Sequence, residues 1–127
     1  MNLLGIDFEE WFHPELIQKM LTNEEKSFEV VKGIDKILEF LRKHDTHATF
    51  FMVGEILEKF PDILDKILGN GHEIAFHTMY HSRLDSDGFK EKFSKELEEF
   101  AILTNNKSKG FRAATFSLNE KSSWAID

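Results

Sequence analysis

Two histidines spaced four residues apart are the first feature of this sequence whose residue type and spacing could support chemistry. His77 and His81 lie in the segment GHEIAFHTMYHSRL, directly after an apolar run. Neutral imidazole is a good ligand for Zn, Fe, Co or Ni, and two imidazoles with one carboxylate leave positions open for water and substrate. The spacing alone is a weak pattern, because a strand can also end in two solvated polar residues.

A cluster of acids in the segment IDFEEWF could supply the carboxylate. Asp7, Glu9 and Glu10 come after an apolar stretch, and Trp11 and Phe12 close the segment behind them. Like charges crowded in this way repel one another unless a cation or basic groups neutralise them. The cluster therefore indicates either a functional group of acids or a solvated loop.

Arg112 and His13 are further candidates. Arg112 lies in the apolar segment GFRAATF, where a buried guanidinium requires a carboxylate partner, so it could orient a catalytic acid or form a structural ion pair. His13 lies shortly after the acidic cluster and is a candidate substrate contact. We expect the remaining histidines, His44, His47 and His72, to lie on the surface.

Alternating strands and helices must position these residues. Apolar and β-branched segments predict strands at residues 2–7, 47–54, 72–77 and 109–118. Helical spacing of apolar residues predicts helices from an N-cap at Ser27 to His44, at 61–68 and at 87–104, with partial helix in 13–26. A last helix begins within residues 119–127, capped by Ser122 or Ser123. This order predicts an α/β fold with parallel strands, whose C-terminal ends gather the candidate residues.

The composition limits the size, partners and location of the protein. The chain has 127 residues, 41% of them apolar, which suits one domain or a piece of one. Its net charge of −7 argues against nucleic acid as a partner. Since cysteine is absent, histidine and carboxylates are the strong metal ligands that remain. The sequence shows neither a membrane-spanning segment nor a secretory signal, so we expect a cytoplasmic protein.

Three segments resemble the motifs of one known family. HATFFMVGE with the later GHEIAFHTMYHSRL is similar to the polysaccharide deacetylases, the NodB-homology or carbohydrate esterase family 4 proteins, whose second motif is H-[ST]-x-x-H. His77, Thr78 and His81 match that motif in full. IDFEEWFH resembles the first motif D-x-E-[DE]-W-F of one branch of the family. FRAATFS resembles the third motif R-x-P-x-[FY], with Arg112 and Phe116 kept and an alanine in place of the proline.

The resemblance implies part of a distorted (β/α) barrel and a metal-dependent hydrolase. Such an enzyme removes N- or O-acetyl groups from an amino-sugar polysaccharide: peptidoglycan, a chitin-like polymer or an exopolysaccharide. His77 and His81 would be metal ligands, and Thr78 would form a hydrogen bond near the second of them. The expected ion is Zn, with Co, Ni or Fe as alternatives.

The resemblance also implies roles for the acids and the arginine. Asp7 would be the general base, and Arg112 would pair with it. The acidic metal ligand would be Glu9 if its spacing of two residues from the base is kept, since side chains two apart on a strand share a face. It would be Glu10 if the two glutamates replace the adjacent acids of the common motif.

The resemblance covers the whole chain but only the first half of the family's domain. We therefore expect residues 1–127 to form a single NodB-homology domain that is incomplete at its C-terminus and lacks the later motif with the catalytic acid histidine. Two alternatives to an active deacetylase are a remnant that binds metal or glycan and an amidohydrolase acting on small cyclic amides. An unfinished barrel exposes strand edges and an apolar face, so we also expect self-association.

Overall fold

The computed structural model describes residues 2–127 and contains one parallel sheet. The strands lie in the order β1 (Gly5–Phe8), β2 (Thr49–Met52), β3 (Glu73–Phe76) and β4 (Ser108–Phe111). Each strand pairs in parallel with the next, with a register shift between β3 and β4. The predicted α/β fold with parallel strands is confirmed. Over the described residues the sheet is open, and β1 and β4 form its two edges.

Helices connect the strands and pack on the sheet. They are α1 (Glu15–Gln18), α2 (Val30–Lys43), α3 (Gly54–Lys59), α4 (Asp62–Gly69) and α5 (Phe89–Leu103), with 3₁₀ helices at Asn23–Glu25, Ala114–Phe116 and Glu120–Ala125. The predictions of α2, α4 and α5 are confirmed, whereas α3 was not predicted because its six residues are too few to show a helical period. No helix among residues 2–127 is long and apolar enough to cross a bilayer.

Several of the predicted boundaries of strands and helices are wrong. β4 ends at Phe111 instead of residue 118, because the chain turns into a 3₁₀ helix in which Thr115 and Phe116 have φ values of 53° and 52°. The last segment is also 3₁₀, and its cap is Asn119, whose side chain accepts a hydrogen bond from the N–H of Lys121 at 2.9 Å. The predicted cap at Ser122 or Ser123 is therefore wrong.

The two faces of the sheet differ in what covers them. Successive strand residues point to opposite faces, and one set packs against the helices in a single core that includes Phe8, Phe50, Met52, Ile74 and Phe76. The other face is uncovered over the described residues, and it carries exposed or half-buried side chains, among them Asp7, Thr49 and Phe51. Because β1 is an edge strand, the segment leading into it is not buried as predicted: Leu3 is 86% exposed.

His72 corrects another expectation from the sequence. Its side chain is buried, and its Nδ1 accepts a hydrogen bond from the backbone N–H of Ala48 at 3.3 Å, which ties the start of β3 to the start of β2. Burial lowers the pKa of His72, which favours the neutral form that this bond requires. The prediction of a surface position is wrong for His72 and confirmed for His44 and His47.

Candidate metal centre

Three side chains converge beyond the C-terminal ends of the strands. Glu9 comes directly after β1, His77 directly after β3, and His81 lies on the loop after His77. One ligand atom from each lies within 4.8 Å of the other two. Both histidines are buried and Glu9 is half-buried, so the cluster lies at the floor of a cleft rather than on an open surface.

Backbone carbonyls fix the tautomer of both histidines. The Nδ1 atom of His77 lies 2.7 Å from the carbonyl oxygen of Arg112, and Nδ1 of His81 lies 3.1 Å from that of His13. A carbonyl oxygen can only accept, so each Nδ1 donates its hydrogen and each neutral ring keeps a lone pair on Nε2. Burial also lowers the pKa of His77 and favours its neutral form. This is the state in which imidazole binds a metal ion.

Glu9 supplies a carboxylate whose buried oxygen lacks a hydrogen bond. Its Oε2 atom is buried and unpaired, and it lies 2.7 Å from Nε2 of His81. Because the hydrogen of His81 lies on Nδ1, the carboxylate oxygen of Glu9 and the lone pair on Nε2 of His81 face each other. Because a cation between the two would satisfy both, these residues fit a divalent metal ion.

The loop that carries His81 has a strained backbone held by specific bonds. Thr78 and His81 adopt left-handed conformations with φ values of 59° and 57°, which are uncommon outside glycine. The Oγ1 of Thr78 accepts a hydrogen bond from the N–H of Ser82 at 2.8 Å, next to the second histidine as the family resemblance implied. The N–H of Met79 donates to Glu96 at 2.9 Å. These bonds hold the loop in a conformation that it would otherwise leave.

Helix α3 begins directly under this loop. The N–H of Gly54 donates to the carbonyl of Thr78 at 3.0 Å, and the N–H of Glu55 donates to that of Met79 at 2.9 Å. The Met79 side chain lies where a Cβ on residue 54 would stand, and the Cα of Met79 is 3.3 Å from that position. Glycine therefore allows the loop to rest on the helix start.

Asp7 and Arg112 form an ion pair on the uncovered face of the sheet. Nη1 of Arg112 donates to Oδ1 of Asp7 at 2.5 Å, and the guanidinium lies 3.7 Å from the centre of the Phe51 ring. The side chains are 41% exposed for the arginine and 39% for the acid, so the arginine is less buried than its apolar segment suggested. Asp7, Arg112 and the Glu9–His77–His81 cluster line one cleft of about 660 Å³.

Glu10, the alternative ligand, faces away from the histidines. It is 1% exposed, and its two oxygens accept hydrogen bonds from the backbone N–H groups of Glu29 and Val30, both at 2.9 Å. These are free amides at the start of α2, so Glu10 caps that helix from a distance. Since α2 begins at Val30 and Glu10 accepts from its first amides, the predicted N-cap at Ser27 is wrong.

Exchanging each glutamate for alanine should separate the two roles. We expect Glu10→Ala to lower the free energy of unfolding by about 2 kcal/mol, because two amides lose a charged partner, and to leave metal affinity unchanged. We expect Glu9→Ala to weaken metal binding tenfold or more without loss of stability. Urea denaturation and metal titration of both variants measure this. Metal loss in Glu10→Ala alone would instead identify Glu10 as the ligand.

His13 does not line the cleft. It is 2% exposed, and its ring lies between the N–H of Glu10, at 2.9 Å from Nδ1, and Oε2 of Glu55, at 3.2 Å from Nε2. The structure thus does not support the predicted contact with substrate. Sequence reasoning missed Glu55, although its place just after β2 is the kind of position that identified the other site residues.

The family model and two of the relatives that match this chain are described as deacetylases. The family model described as polysaccharide deacetylase matches residues 14–126, a range that begins after the acidic segment. A peptidoglycan-N-acetylglucosamine deacetylase from Bacillus cereus is 39% identical over 66 residues, which cover 50% of this chain and 24% of that protein. A chitooligosaccharide deacetylase from Sinorhizobium fredii is 33% identical over 63 residues, 50% of this chain and 29% of that protein.

Solved structures show the same fold. A peptidoglycan N-acetylglucosamine deacetylase matches with a TM-score of 0.68 and 25% identity, over 97% of this chain and 50% of that one. A CE4 family pseudoenzyme from Bacillus anthracis matches with a TM-score of 0.70 and 21% identity, over 98% of this chain and 39% of that one, and this likeness concerns the fold alone. The matched part of this chain corresponds to half or less of each of these proteins.

Proposed function

Because the chain belongs to the polysaccharide deacetylase family, we propose that it forms part of a metal-dependent hydrolase that removes acetyl groups from an amino-sugar polysaccharide. The observation that carries the proposal is the convergence of Glu9, His77 and His81, with an unpaired buried carboxylate oxygen facing an imidazole. The relatives named as peptidoglycan and chitooligosaccharide deacetylases support an N-acetylated glycan as substrate.

Three atoms of this chain would hold the ion. They are Nε2 of His77, Nε2 of His81 and a carboxylate oxygen of Glu9, and the expected ion is Zn²⁺, with Co²⁺, Ni²⁺ or Fe²⁺ as alternatives that suit the same donors. A bound ion would supply Lewis acidity, which lowers the pKa of water and polarises an acyl carbonyl.

Asp7 is the proposed general base. It lines the same cleft as the histidines, and its Oδ1 is bonded to Arg112, which leaves Oδ2 to accept a proton from the attacking water. Arg112 holds the carboxylate in place and is itself supported by the Phe51 ring. Arg112 also fixes His77 through its carbonyl, so one residue orients both the base and a proposed ligand.

The walls of the cleft offer apolar surface for a sugar. Leu16 is 81% exposed and Phe116 is fully exposed, and both line the cleft beside the charged residues. Apolar surface that lines a cleft beside polar groups is a common feature of ligand-binding grooves. We propose that the glycan lies between them, with its acetyl group towards His77 and His81.

The size of the relatives bears on how much of the enzyme this chain contains. We propose that residues 1–127 are the first part of a longer NodB-homology domain and that the proton donor for the leaving amine lies in a later part.

The open sheet face and its two edge strands support the further proposal of self-association. The cytoplasmic location stays a prediction from the sequence.

Two substrates that differ in leaving group test the proposed chemistry. 4-Nitrophenyl acetate releases a phenolate that needs no proton, whereas N-acetylglucosamine oligomers release an amine that does. We expect the chain with Zn²⁺ or Co²⁺ to hydrolyse the ester, Asp7→Asn to lower this rate roughly a hundredfold, and amide hydrolysis to be far slower. The visible absorbance of nitrophenolate and an acetate assay measure the two rates.

Controls separate this function from its alternatives. Asp45→Asn, in the turn before the N-terminal end of β2, should hydrolyse the ester as the unaltered chain does. Metal binding without hydrolysis of either substrate would favour the remnant that only binds. Faster hydrolysis of a cyclic amide such as hydantoin than of any acetylated compound would favour the amidohydrolase.

A further inference from the structure

His13 is held in one orientation by both of its ring nitrogens. Nδ1 lies 2.9 Å from the backbone N–H of Glu10 and must therefore accept. The ring hydrogen then lies on Nε2, which donates to Oε2 of Glu55 at 3.2 Å. The ring is 2% exposed, so no water competes for these bonds. Glu55 thus selects the rotamer and the tautomer of His13.

The backbone of His13 in turn holds His81. Its carbonyl oxygen accepts from Nδ1 of His81 at 3.1 Å and from Nε2 of Gln18 at 2.6 Å. Gln18 also donates to the carbonyl of Tyr80 at 3.2 Å, which clamps the loop residue before His81 to the same segment. The rings of His13 and His81 are nearly parallel, at 18°, with their centres 6.4 Å apart.

Glu55 is well placed to couple these segments. Its side chain is 24% exposed and reaches His13, while its own N–H donates to the carbonyl of Met79 in the loop that leads to His81. The first residues of α3 therefore support His81 by two routes. One route runs through the loop backbone, and the other runs through the His13 ring and carbonyl.

We propose that Glu55 and His13 are positioning residues that keep the hydrogen of His81 on Nδ1, so that its Nε2 lone pair points at Glu9 and His77. The value of this arrangement for metal binding rests on the function proposed above. Neither residue lines the cleft, so both act through His81 and not on the substrate. Such partners behind a ligand typically change metal affinity 10- to 100-fold when they are removed.

The first test reads the His81 ring in the metal-free protein. Long-range ¹H–¹⁵N NMR spectra distinguish a hydrogen on Nδ1 from one on Nε2. We expect a hydrogen on Nδ1 of His81 in the unaltered chain and in Glu55→Gln, whose amide oxygen can still accept from His13, and a fraction of rings without that hydrogen in Glu55→Ala. Glu58→Ala is the matched control, because Glu58 is an exposed acid on the same helix that makes none of these bonds.

The second test measures affinity for Zn²⁺ or Co²⁺ by competition with a chromophoric chelator. We expect Glu55→Ala to bind at least tenfold more weakly, and Glu55→Gln and Glu58→Ala to bind within threefold of the unaltered chain. Glu55→Asp keeps the charge but is too short to reach His13, so it should behave as Glu55→Ala does.

The outcomes that overturn the proposal are distinct from those that overturn the function. A folded Glu55→Ala with the Nδ1 form of His81 and unchanged affinity would refute the positioning role. Normal affinity in Glu55→Asp would do the same, because charge alone would then suffice. If the unaltered chain binds no metal, the proposed function fails, and the NMR spectra of the metal-free proteins still decide whether Glu55 fixes His81.

Discussion

Replacing His81 by alanine is expected to weaken binding of Zn²⁺ or Co²⁺ at least a hundredfold while the protein stays folded. The side chain provides one of three converging ligand atoms, and a site with two protein ligands holds these ions poorly. The change also removes the nitrogen that faces the unpaired oxygen of Glu9. Isothermal titration with metal, with circular dichroism to verify folding, measures both effects.

A histidine elsewhere on the protein provides the control. His47 is exposed at the end of the sheet opposite the cleft, so His47→Ala should leave the affinity within about twofold. Equal losses in the two variants would indicate binding to surface histidines in general. Full affinity in His81→Ala would show that the ion, if bound, uses other residues.

Replacing Gly54 by alanine is expected to destabilise the protein by about 3 kcal/mol and to weaken metal binding in the fraction that folds. A Cβ at this position would overlap Sδ of Met79, and the adjacent Cα of Met79 lies too close to let the side chain simply turn away. The loop would have to move away from α3. That movement would break the bonds from α3 to Thr78 and Met79 and carry His81 with it.

Gly33→Ala is the matched control for this substitution. Gly33 lies within α2, and a Cβ there would meet nothing within 4 Å. Because alanine favours helix over glycine, Gly33→Ala should raise the free energy of unfolding by up to about 1 kcal/mol. Chemical denaturation of both variants gives the comparison. If the two substitutions shift the free energy of unfolding in the same direction, the close contact with Met79 does not determine the effect of Gly54→Ala.

The residues of the cleft could be predicted because the sequence indicates where the strands end. A short apolar run that ends in polar residues indicates a strand, and parallel strands bring the residues after their C-terminal ends to one edge of the sheet. That rule places the candidates at or near strand ends without knowledge of any distance: Asp7, Glu9, Glu10, His77, His81 and Arg112. The structure brings all of them except Glu10 to one cleft.

The features that the sequence could not show depend on contacts between distant segments. The choice between Glu9 and Glu10 turns on the start of α2, where the N–H of Glu29, nineteen residues along the chain, donates to Glu10. The position of Glu55 just after β2 could have drawn attention to it, but its pairing with His13 could not be predicted, because the two residues are 42 positions apart. The burial of His72 depends likewise on the position of a neighbouring strand.

The ion pair of Arg112 with Asp7 stands in contact with solvent, because nothing among residues 2–127 covers that face of the sheet. Mobile ions and a high dielectric constant weaken such a pair, while a dry surrounding strengthens it several-fold. We therefore expect added salt to weaken the ion pair between Arg112 and Asp7. We expect another polypeptide surface packed over the same face to strengthen it. The acid's orientation would then respond to assembly itself.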